Sequence, residues 1–464
     1  MPNKNSLTYY FVLASLFLIP IVYFKTYLGP LPLSVEIVLI PLVTLAAFYD
    51  FFKGNIRLND FKIWPLAAAF GLFLLVSLIS VINAIDLKSA VMEIARYLSY
   101  VVLFLIVAKV DFTKKQYLGF AKWFGAAVVI VGLFGVLQYV FNFSLNKAGL
   151  YALKEAKGRV DSTLVNPNYY SAYLNYIIPT VLLLAVVYFK NKTAQLLAFA
   201  VYAIYVVNVI LTYTRAAWVT MFCAGILLII LMPKQFIKNV IKPQILISFV
   251  ILFAVLYFMP DVQSRTNSAI YAIEKLLPQG SQNHQGAGEP EDTDGDGEPE
   301  EVADEEEPEE EDTTTNRAVV SRMTLWKTGW YMLRDNPILG VGMGNYTANY
   351  KEYVSKYPEL YIGHESYSVH NSYLKVGAET GFVGLASFML IYVIYFLTII
   401  KLYFRQNLLG RVMAVGLFVG SICYMVQNLS NNLIFIPQLN VIFWLTAGLV
   451  LGFLSFNRKE SIGE

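Results

Sequence analysis

Long apolar runs separated by short polar connections are the main pattern of this chain. Runs of about 18 or more residues recur along most of it, and a helix of that length crosses roughly 30 Å of hydrocarbon. We therefore predict an all-α, polytopic membrane protein with about 12 transmembrane helices. The predicted spans are residues 7–24, 31–52, 63–85, 89–108, 117–141, 169–189, 194–213, 216–232, 244–259, 382–400, 411–428 and 434–455.

One long polar segment divides the apolar runs into two membrane units. Residues 1–259 contain the first nine predicted spans, and residues 382–464 contain the last three and a tail. Between them, residues 260–381 form a large loop. Within this loop, residues 280–316 are low in complexity and acidic, which predicts disorder because such a segment cannot bury a core. Aromatic residues, glycine turns and helical spacing in residues 317–381 predict an ordered helical cap.

Basic residues indicate which side of the predicted bundle faces the cytoplasm. On one side, most connections carry two or more Lys or Arg residues, whereas most opposite connections carry one or none; residues 142–168 are the exception. Cytoplasmic loops are enriched in Lys and Arg, so we predict that both termini are cytoplasmic and that the large loop is extracytoplasmic. The first run lacks a small-residue cleavage site, which favours a retained helix over a signal peptide.

Overall composition adds little to this interpretation. The net charge of +2 gives no reason to expect a nucleic-acid partner. Cys223 and Cys423 both fall within predicted spans and show neither metal-ligand nor disulfide spacing.

The stretch DTDGDG at 292–297 resembles the start of a calcium loop, but Ala303 occupies the position where an EF-hand needs Glu. We interpret the acidic run 289–312 as a solvated tether, with weak calcium binding as the alternative.

Two arginines on the predicted outer side are candidates for binding an anion. Arg215 lies in LTYTRAAW, in a very short connection between two spans, where a positive charge is costly and unusual. Snorkelling or helix capping is the alternative. Arg322 lies four residues before Trp326 on a predicted cap helix that should end near Asp335. Stacking on this ring is the alternative to a two-arginine clamp around phosphate.

His370 is a candidate general base because imidazole titrates near neutrality. Its residue type alone favours a capping or structural histidine. A short helix is expected to follow it and to end at Gly381, before the tenth span. Glu379 either pairs with Lys375 on this helix, or it orients a base or binds sugar hydroxyls. Nine residues separate His370 from Glu379, so a direct pair requires a helix that begins after His370.

Glycines occupy alternate positions at Gly340, Gly342 and Gly344. Their backbone N–H groups could approach a phosphate. The residues of a P-loop and the context of a dinucleotide fingerprint are missing, however, so a flexible turn is the default interpretation.

In the fourth span, Glu93 and Arg96 are three residues apart. We expect them to neutralise each other, with a role in lining a lipid or substrate path as the alternative.

Four stretches resemble motifs of the O-antigen ligase/polymerase family of polytopic bacterial membrane proteins. The first, STLVNPNYYSAYLNYIIP at 162–179, resembles the family's Asn-Pro-Asn start of a span. LTYTRAAW at 211–218 resembles its Thr/Ser-Arg-x-x-Trp turn. SRMTLWKTGWYMLRDNPILGVGMGNY at 321–346 is similar to its Arg-x-x-x-Trp helix followed by Pro-x-x-Gly-x-Gly. VHNSYLKVGAETGFVGLASF at 369–388 is similar to its His-Asn…Glu-x-Gly-x-x-Gly signature. The resemblance in layout covers roughly residues 90–455.

The resemblance implies transfer of a glycan from a polyprenyl (undecaprenyl) diphosphate carrier to an acceptor hydroxyl. The reaction would take place at the outer face of the bacterial plasma membrane, with inversion and without a metal or another cofactor. The acceptor would be a glycan, a lipid or a protein.

The resemblance also implies roles for individual residues. Arg215 and Arg322 would bind the diphosphate, His370 would activate the acceptor hydroxyl, and Glu379 would assist it. The substrate loop would contain Trp326, Gly340, Gly342, Gly344 and Asn371. His364, six residues before His370, is the alternative base. Thr214 replaces the family's frequent Ser and keeps the hydroxyl. The acidic run 289–312 is not part of the family pattern.

Several functions remain open from the sequence. A ligase that moves a finished polysaccharide, a polymerase that joins lipid-linked repeat units and a protein-directed ligase would share these motifs. A transporter would need ionisable residues near the middle of the membrane and repeated broken helices, and the chain shows few such charges and no clear internal repeat. A membrane-anchored interaction protein, with the acidic run as its active part, is the remaining alternative.

Overall fold

The computed structural model of this chain describes most of its residues as helical. The described residues are 6–23, 25–28, 31–143, 145, 158–258, 310–363 and 367–463. His364 and the stretch 292–297 lie outside them, as does most of the acidic run 289–312, so the expectations for those residues stay predictions.

Every predicted apolar run contains a helix. The helices of the first membrane unit are α1 (Leu7–Ile21), α2 (Val35–Phe52), α3 (Trp64–Ser80), α4 (Leu87–Lys109), α5 (Lys114–Phe141), α6 (Pro167–Leu183), α7 (Lys192–Leu211), α8 (Arg215–Leu231), α9 (Pro233–Val240) and α10 (Pro243–Tyr257). The helices that follow are α11 (Glu310–Asp335), α12 (Tyr346–Lys356), α13 (Ser372–Tyr403), α14 (Leu408–Gln427) and α15 (Pro437–Gly463). A two-stranded antiparallel hairpin, β1 (Lys25–Leu28) and β2 (Leu31–Ser34), joins α1 to α2. Within the part of the chain that the structure describes, this hairpin departs from the predicted all-α fold.

The multi-pass helical architecture is confirmed, whereas the count of about twelve spans stays a prediction. Among the described helices, nine are long and apolar enough to cross a membrane, and the bent pair α8–α9 raises this number to ten. Helices α1 and α10 have 15 residues each. At 1.5 Å per residue they fall short of a hydrocarbon layer of roughly 30 Å, unless their flanking residues complete the crossing.

Helix α9 was not expected from the sequence. It is bent by 109° from α8 and carries Lys234 and Lys238, while Phe236 is buried against the bundle. An amphipathic helix with basic residues on its polar face is typical of the membrane surface. The orientation of the bundle stays a prediction, since the lysines of α9 are among the basic residues from which it was derived.

Helices α6 and α15 lie at the centre of the bundle, because most of each is buried while the other candidate spans expose more of their surface. Helix α14 packs closely along α6. A Cβ atom on Gly420 would lie 2.2 Å from the carbonyl oxygen of Tyr176, so only glycine permits this approach. The Tyr176 hydroxyl also forms a 2.7 Å hydrogen bond with Thr446 Oγ1, which ties α6 to α15.

The cap has a hydrophobic core of its own. Helix α11, helix α12 and the start of α13 contribute a cluster that is separate from the core of the bundle. Its members include Leu325, Met332, Tyr346, Tyr350 and Val369, each nearly or fully buried. An ordered helical cap was predicted, and the end of its first helix at Asp335 is confirmed.

The first cap helix begins earlier than the sequence predicted. Helix α11 starts at Glu310 and therefore extends into the segment 280–316, which was expected to be disordered. Its first residues are Glu310, Glu311 and Asp312.

Candidate active site

A break in α13 shapes the base of the cap. Gly381 has non-helical backbone angles (φ 69°, ψ −174°) inside the long helix, which confirms the predicted end of the short helix after His370. The break leaves backbone carbonyl groups without their helical partners. The Val341 N–H donates to the Ala378 oxygen at 2.8 Å, and the Gly342 N–H donates to the Glu379 oxygen at 3.0 Å. The glycine-rich turn therefore completes the broken helix.

The glycine triplet permits close packing between the cap and the bundle. Gly340, Gly342 and Gly344 all have positive φ (66°, 98° and 74°). A Cβ atom on Gly340 would lie 2.4 Å from the carbonyl carbon of Glu379, and one on Gly342 would lie 2.7 Å from Ala84 Cα. Together with the two amides bonded to α13, this packing shows a structural role for the turn. A role for the triplet in binding phosphate stays a prediction.

Glu379 is fully buried and supports the same turn. Its Oε1 accepts from the Tyr346 N–H at 3.2 Å and lies 3.7 Å from Lys375 Nζ, so the predicted pair with Lys375 is confirmed. Helix α13 begins at Ser372, after His370, as a direct His–Glu contact would require. Even so, no hydrogen bond joins His370 to Glu379 among the described residues. Glu379 thus stabilises the start of α12, and its predicted role beside the base stays a prediction.

His370 lies immediately before α13 in a constrained backbone. Its φ of 51° is in the left-handed region, which His and Asn adopt more readily than most other residues. The next residue, Asn371, caps the helix, because its side-chain oxygen accepts from the N–H groups of Tyr373 and Leu374 at 3.0 Å each. The structure thus explains Asn371 as a helix cap that fixes the position of His370.

Helix α11 brings Arg322 towards His370. A Cβ atom on Gly329 would lie 2.8 Å from Val369 Cγ2, so α11 packs closely on the residue that precedes His370. Arg322 lies about two turns earlier on the same helix face. Burial and the nearby Arg322 guanidinium lower the pKa of the His370 imidazole below its usual range. The imidazole is therefore neutral at neutral pH, the form in which it can accept a proton.

Arg215 is the first residue of α8 and is exposed. The turn before it is connected to the Asn-Pro-Asn stretch: Thr214 Oγ1 donates to Asn168 Oδ1 at 3.2 Å. Arg159 joins the same group, with its Nη2 donating to Thr214 Oγ1 at 3.1 Å and its Nε donating to the Thr212 carbonyl at 2.8 Å. Two of the sequence motifs thus form one hydrogen-bonded cluster beside Arg215.

Arg159 is a residue that the sequence interpretation missed. The signal was present, because Arg159 belongs to residues 142–168, the exception to the charge rule among the short predicted outer connections. Its partners are far away in the sequence, so their contact was not predictable. The arrangement also concentrates positive charge at the start of α8, which has no acidic residue in its first turn. A cation there opposes the helix dipole, whereas a bound anion would interact favourably with the arginines and with the helix dipole.

A chain of hydrogen bonds places the two halves of the site at one end of the bundle. On α6, Ser171 Oγ donates to Gln427 Oε1 at 3.3 Å, near the end of α14. The next residue, Asn428, accepts from Ser372 at the start of α13, at 2.9 Å to its backbone oxygen and 2.6 Å to Oδ1. The turn that carries Arg215 is thus connected through α6 and α14 to the segment that carries His370.

Several non-glycine residues with positive φ border this site. Ser162 (49°) and Val165 (57°) precede the Asn-Pro-Asn stretch, Tyr213 (51°) precedes Thr-Arg, and His370 (51°) precedes Asn371. Such backbone conformations cost about 1–2 kcal/mol each for most residues. Their position next to the motifs indicates that the surrounding structure holds these short turns in fixed conformations.

Trp326 packs against the core of the cap and is half-buried. Its indole Nε1 is buried and, among the described residues, has no hydrogen-bond partner.

The Glu93–Arg96 ion pair expected in the fourth span is present on α4. It lies inside the bundle, close to the glycine-rich turn, because a Cβ atom on Gly344 would lie 3.2 Å from Glu93 Cβ.

The described residues define a multi-pass helical membrane protein with basic side chains and His370 at one end of its bundle. Residues 198–389 match the model of a protein family described as O-antigen ligase. The chain therefore carries an O-antigen ligase family domain, and the resemblance to the O-antigen ligase/polymerase family is confirmed. The matched segment contains Arg215, Arg322 and His370, and it covers less than half of the 464 residues. A search of curated proteins found no match.

Proposed function

We propose that this protein is an O-antigen ligase-like glycosyltransferase. It transfers a glycan from a polyprenyl diphosphate carrier to an acceptor hydroxyl at the outer face of a bacterial plasma membrane. The observation that supports this proposal best is that one family domain, residues 198–389, contains Arg215, Arg322 and His370, with Arg322 near His370. The orientation rests on the distribution of basic residues in the connections.

The two arginines bind the diphosphate of the donor. Guanidinium groups suit this role because their planar fork donates two hydrogen bonds to phosphate oxygens. In the transfer step, the bond between the anomeric carbon and the phosphate oxygen breaks, and negative charge develops on the leaving diphosphate. Arg215, at the start of α8, and Arg322 stabilise that charge, and the hydrocarbon nearby strengthens the interaction by lowering the local dielectric.

His370 acts as the general base. The acceptor oxygen forms a bond to the anomeric carbon while its proton passes to the neutral imidazole. Attack from the face opposite the diphosphate inverts the anomeric configuration. Glu379, Asn371 and the glycine triplet support this geometry through the backbone, and among the described residues none of them forms a hydrogen bond with His370.

The test of this function is the profile of lipid-linked glycans in cells that lack the gene. Accumulation of long chains on the polyprenyl carrier identifies a ligase, and accumulation of single repeat units identifies a polymerase. An unchanged profile contradicts both and favours transport or an interaction role.

The test of the mechanism uses His370→Asn in the same cells. Asn tolerates the left-handed backbone of position 370, so the variant should fold and reach the membrane. We expect transfer to fall by roughly 10²–10⁴-fold, the usual contribution of a general base. Glycan profile and protein level are measured together. Wild-type transfer by a variant present at the wild-type level would refute the role of His370.

A further inference from the structure

An apolar groove lies between α8, α13 and α14. Its volume is about 80 Å³. The side chains that line it include Leu231, Ile400, Tyr403, Val415 and Phe418. Leu231 and Ile400 are exposed, so the groove opens onto the surface of the bundle. Apolar walls of this kind favour a hydrocarbon occupant.

The groove lies at the end of the bundle opposite the candidate active site. Arg215 begins α8, whereas Leu231, which lines the groove, ends it. Helix α13 begins after His370 and reaches the groove with its last residue, Tyr403. Both helices thus place the groove near the other membrane surface, which is the cytoplasmic one in the predicted orientation.

Arg411 places a positive charge beside the groove. Its guanidinium carbon lies 5.8 Å from the centre of the Tyr403 ring. Its Nε donates to the Gln406 carbonyl at 3.1 Å, which fixes the side chain and uses one of its N–H donors. The Nη groups carry further donors that suit the oxygens of a phosphate.

Lys401 and Lys234 add positive charge next to two other walls. Lys401 follows Ile400 directly, Lys234 lies three residues after Leu231, and both lysines are exposed. Three residues of chain span at most about 11 Å, so the backbone of Lys234 stays close to the groove.

Helix α9 indicates that the groove lies at the level of the lipid head groups. This helix follows α8 and contains Lys234. Its Phe236 is buried, whereas Ile237 and Lys238 are exposed. A short helix with exposed apolar and basic side chains lies at the boundary between acyl chains and head groups.

The segments that form the groove carry basic residues without acidic ones. Residues 162–260 and 380–459, which include α8, α9, α14 and most of α13, contain no Asp or Glu. The positive charge beside the groove is therefore not neutralised within these segments, and an anion complements it.

We propose that this groove binds an anionic phospholipid. One acyl chain lies against Ile400, Val415 and Phe418, and the phosphate contacts Arg411 and the neighbouring lysines. Basic pockets between membrane helices suit anionic head groups. The apolar walls select a lipid over free phosphate, because free phosphate gains nothing from contact with them.

The test measures lipid binding to the full-length protein by native mass spectrometry. The purified protein is titrated with anionic phosphatidylglycerol and, separately, with zwitterionic phosphatidylcholine, and phosphatidylglycerol should bind more tightly. Arg411→Gln and Lys234→Gln should each weaken phosphatidylglycerol binding about fivefold, the usual contribution of one basic residue near an anionic head group. Binding of phosphatidylcholine should stay unchanged in both variants.

Lys53→Gln is the matched control for charge. Lys53 is exposed and follows α2, which does not line the groove. Ile400→Trp tests the apolar walls separately, because the larger indole occupies the groove and should weaken the binding of both lipids. Glycerol phosphate, the soluble head group, should not compete with phosphatidylglycerol.

Four results would overturn the proposal: equal affinity of the wild type for the two lipids, equal losses in Arg411→Gln and Lys53→Gln, unchanged binding in Ile400→Trp, or competition by glycerol phosphate. The last would identify a site for free phosphate. If Arg411→Gln does not fold because the bond to Gln406 is lost, Lys234→Gln and Lys401→Gln give the same comparison, since both side chains are exposed.

Discussion

The pKa of His370 links two residues of the site. Burial first, and the charge of Arg322 second, lower this pKa. A base works only when it is unprotonated, so activity falls as the pH drops through its pKa. Arg322→Gln removes the charge that opposes protonation and should raise the pKa of His370, which moves the acidic limb of the pH–activity profile to higher pH.

The measurement is the pH profile of transfer by purified protein. Arg322→Lys keeps the positive charge and should leave the acidic limb near its wild-type pH. The overall rate can still fall, because lysine lacks the forked guanidinium that binds phosphate through two hydrogen bonds. Identical limbs for Arg322→Gln and wild type would show that Arg322 does not act on His370.

Arg159 is expected to position Arg215 through the turn between α7 and α8. Its bonds to Thr212 and Thr214 are together worth about 1–2 kcal/mol, so Arg159→Ala should reduce kcat/KM for the lipid-linked donor about tenfold. Thr214→Ser keeps the hydroxyl and serves as the control. Steady-state kinetics with varied donor concentration provides the measurement. Wild-type kcat/KM in Arg159→Ala would contradict this role.

Single residues were predictable where their chemistry is local. The pair Lys375–Glu379 followed from its i, i+4 spacing. The partners of Arg159 did not, because Thr212 and Thr214 lie more than 50 residues away in the sequence. The left-handed backbone of His370 was also not predictable, because the packing around Val369 and the cap at Asn371 determine it.

At the scale of elements, the break in α13 should be sensitive to a single methyl group. A Cβ atom on Gly381 would lie 2.2 Å from the Ile338 carbonyl oxygen, and its φ of 69° is unfavourable for alanine. Gly381→Ala should therefore destabilise the protein by about 2–4 kcal/mol.

Thermal unfolding of the purified variants checks this prediction. Gly225→Ala on α8 is the control, since a Cβ atom there meets open space and alanine favours a helix. Equal Tm values for the two variants would mean that the turn around residue 338 moves to accommodate the methyl group. Close packing between this turn and the break in α13 would then be refuted.

Helices were easier to predict than their breaks and connections. Apolar runs predicted where the membrane helices lie, because hydrocarbon requires both apolar side chains and satisfied backbone groups. Asp335 and Gly381 were correctly identified as ends by local turn signals. Helix α9 was missed because its eight residues are too few and too polar for a hydropathy pattern.

At the scale of the whole molecule, the predicted orientation can be tested by chemical labelling. Tyr361 lies on the cap and Phe404 lies after the end of α13, and both are exposed. In a chain whose native cysteines are replaced, a membrane-impermeant thiol reagent should label Tyr361→Cys in intact cells. Phe404→Cys should react only after permeabilisation. The reverse pattern would invert the topology and place the candidate site in the cytoplasm.

The number of membrane crossings is the global property that stays a prediction. Hydropathy alone cannot separate a span from a shorter apolar helix when length is near the limit, as for α1 and α10. The relation between cap and bundle was also beyond prediction, since it depends on hydrogen bonds between residues far apart in the sequence, such as those from Asn83 to the Gly340 carbonyl and from the Met343 N–H to Ser80.

The separate core of the cap has an evolutionary consequence. Because the apolar clusters of cap and bundle do not merge, substitutions on the outer surface of the cap can accumulate without changing membrane insertion. His370 and Arg322 belong to the cap side of this boundary, whereas Arg215 belongs to the membrane side. The outer surface of this compact module can thus vary while Arg322, His370 and Arg215 keep their positions.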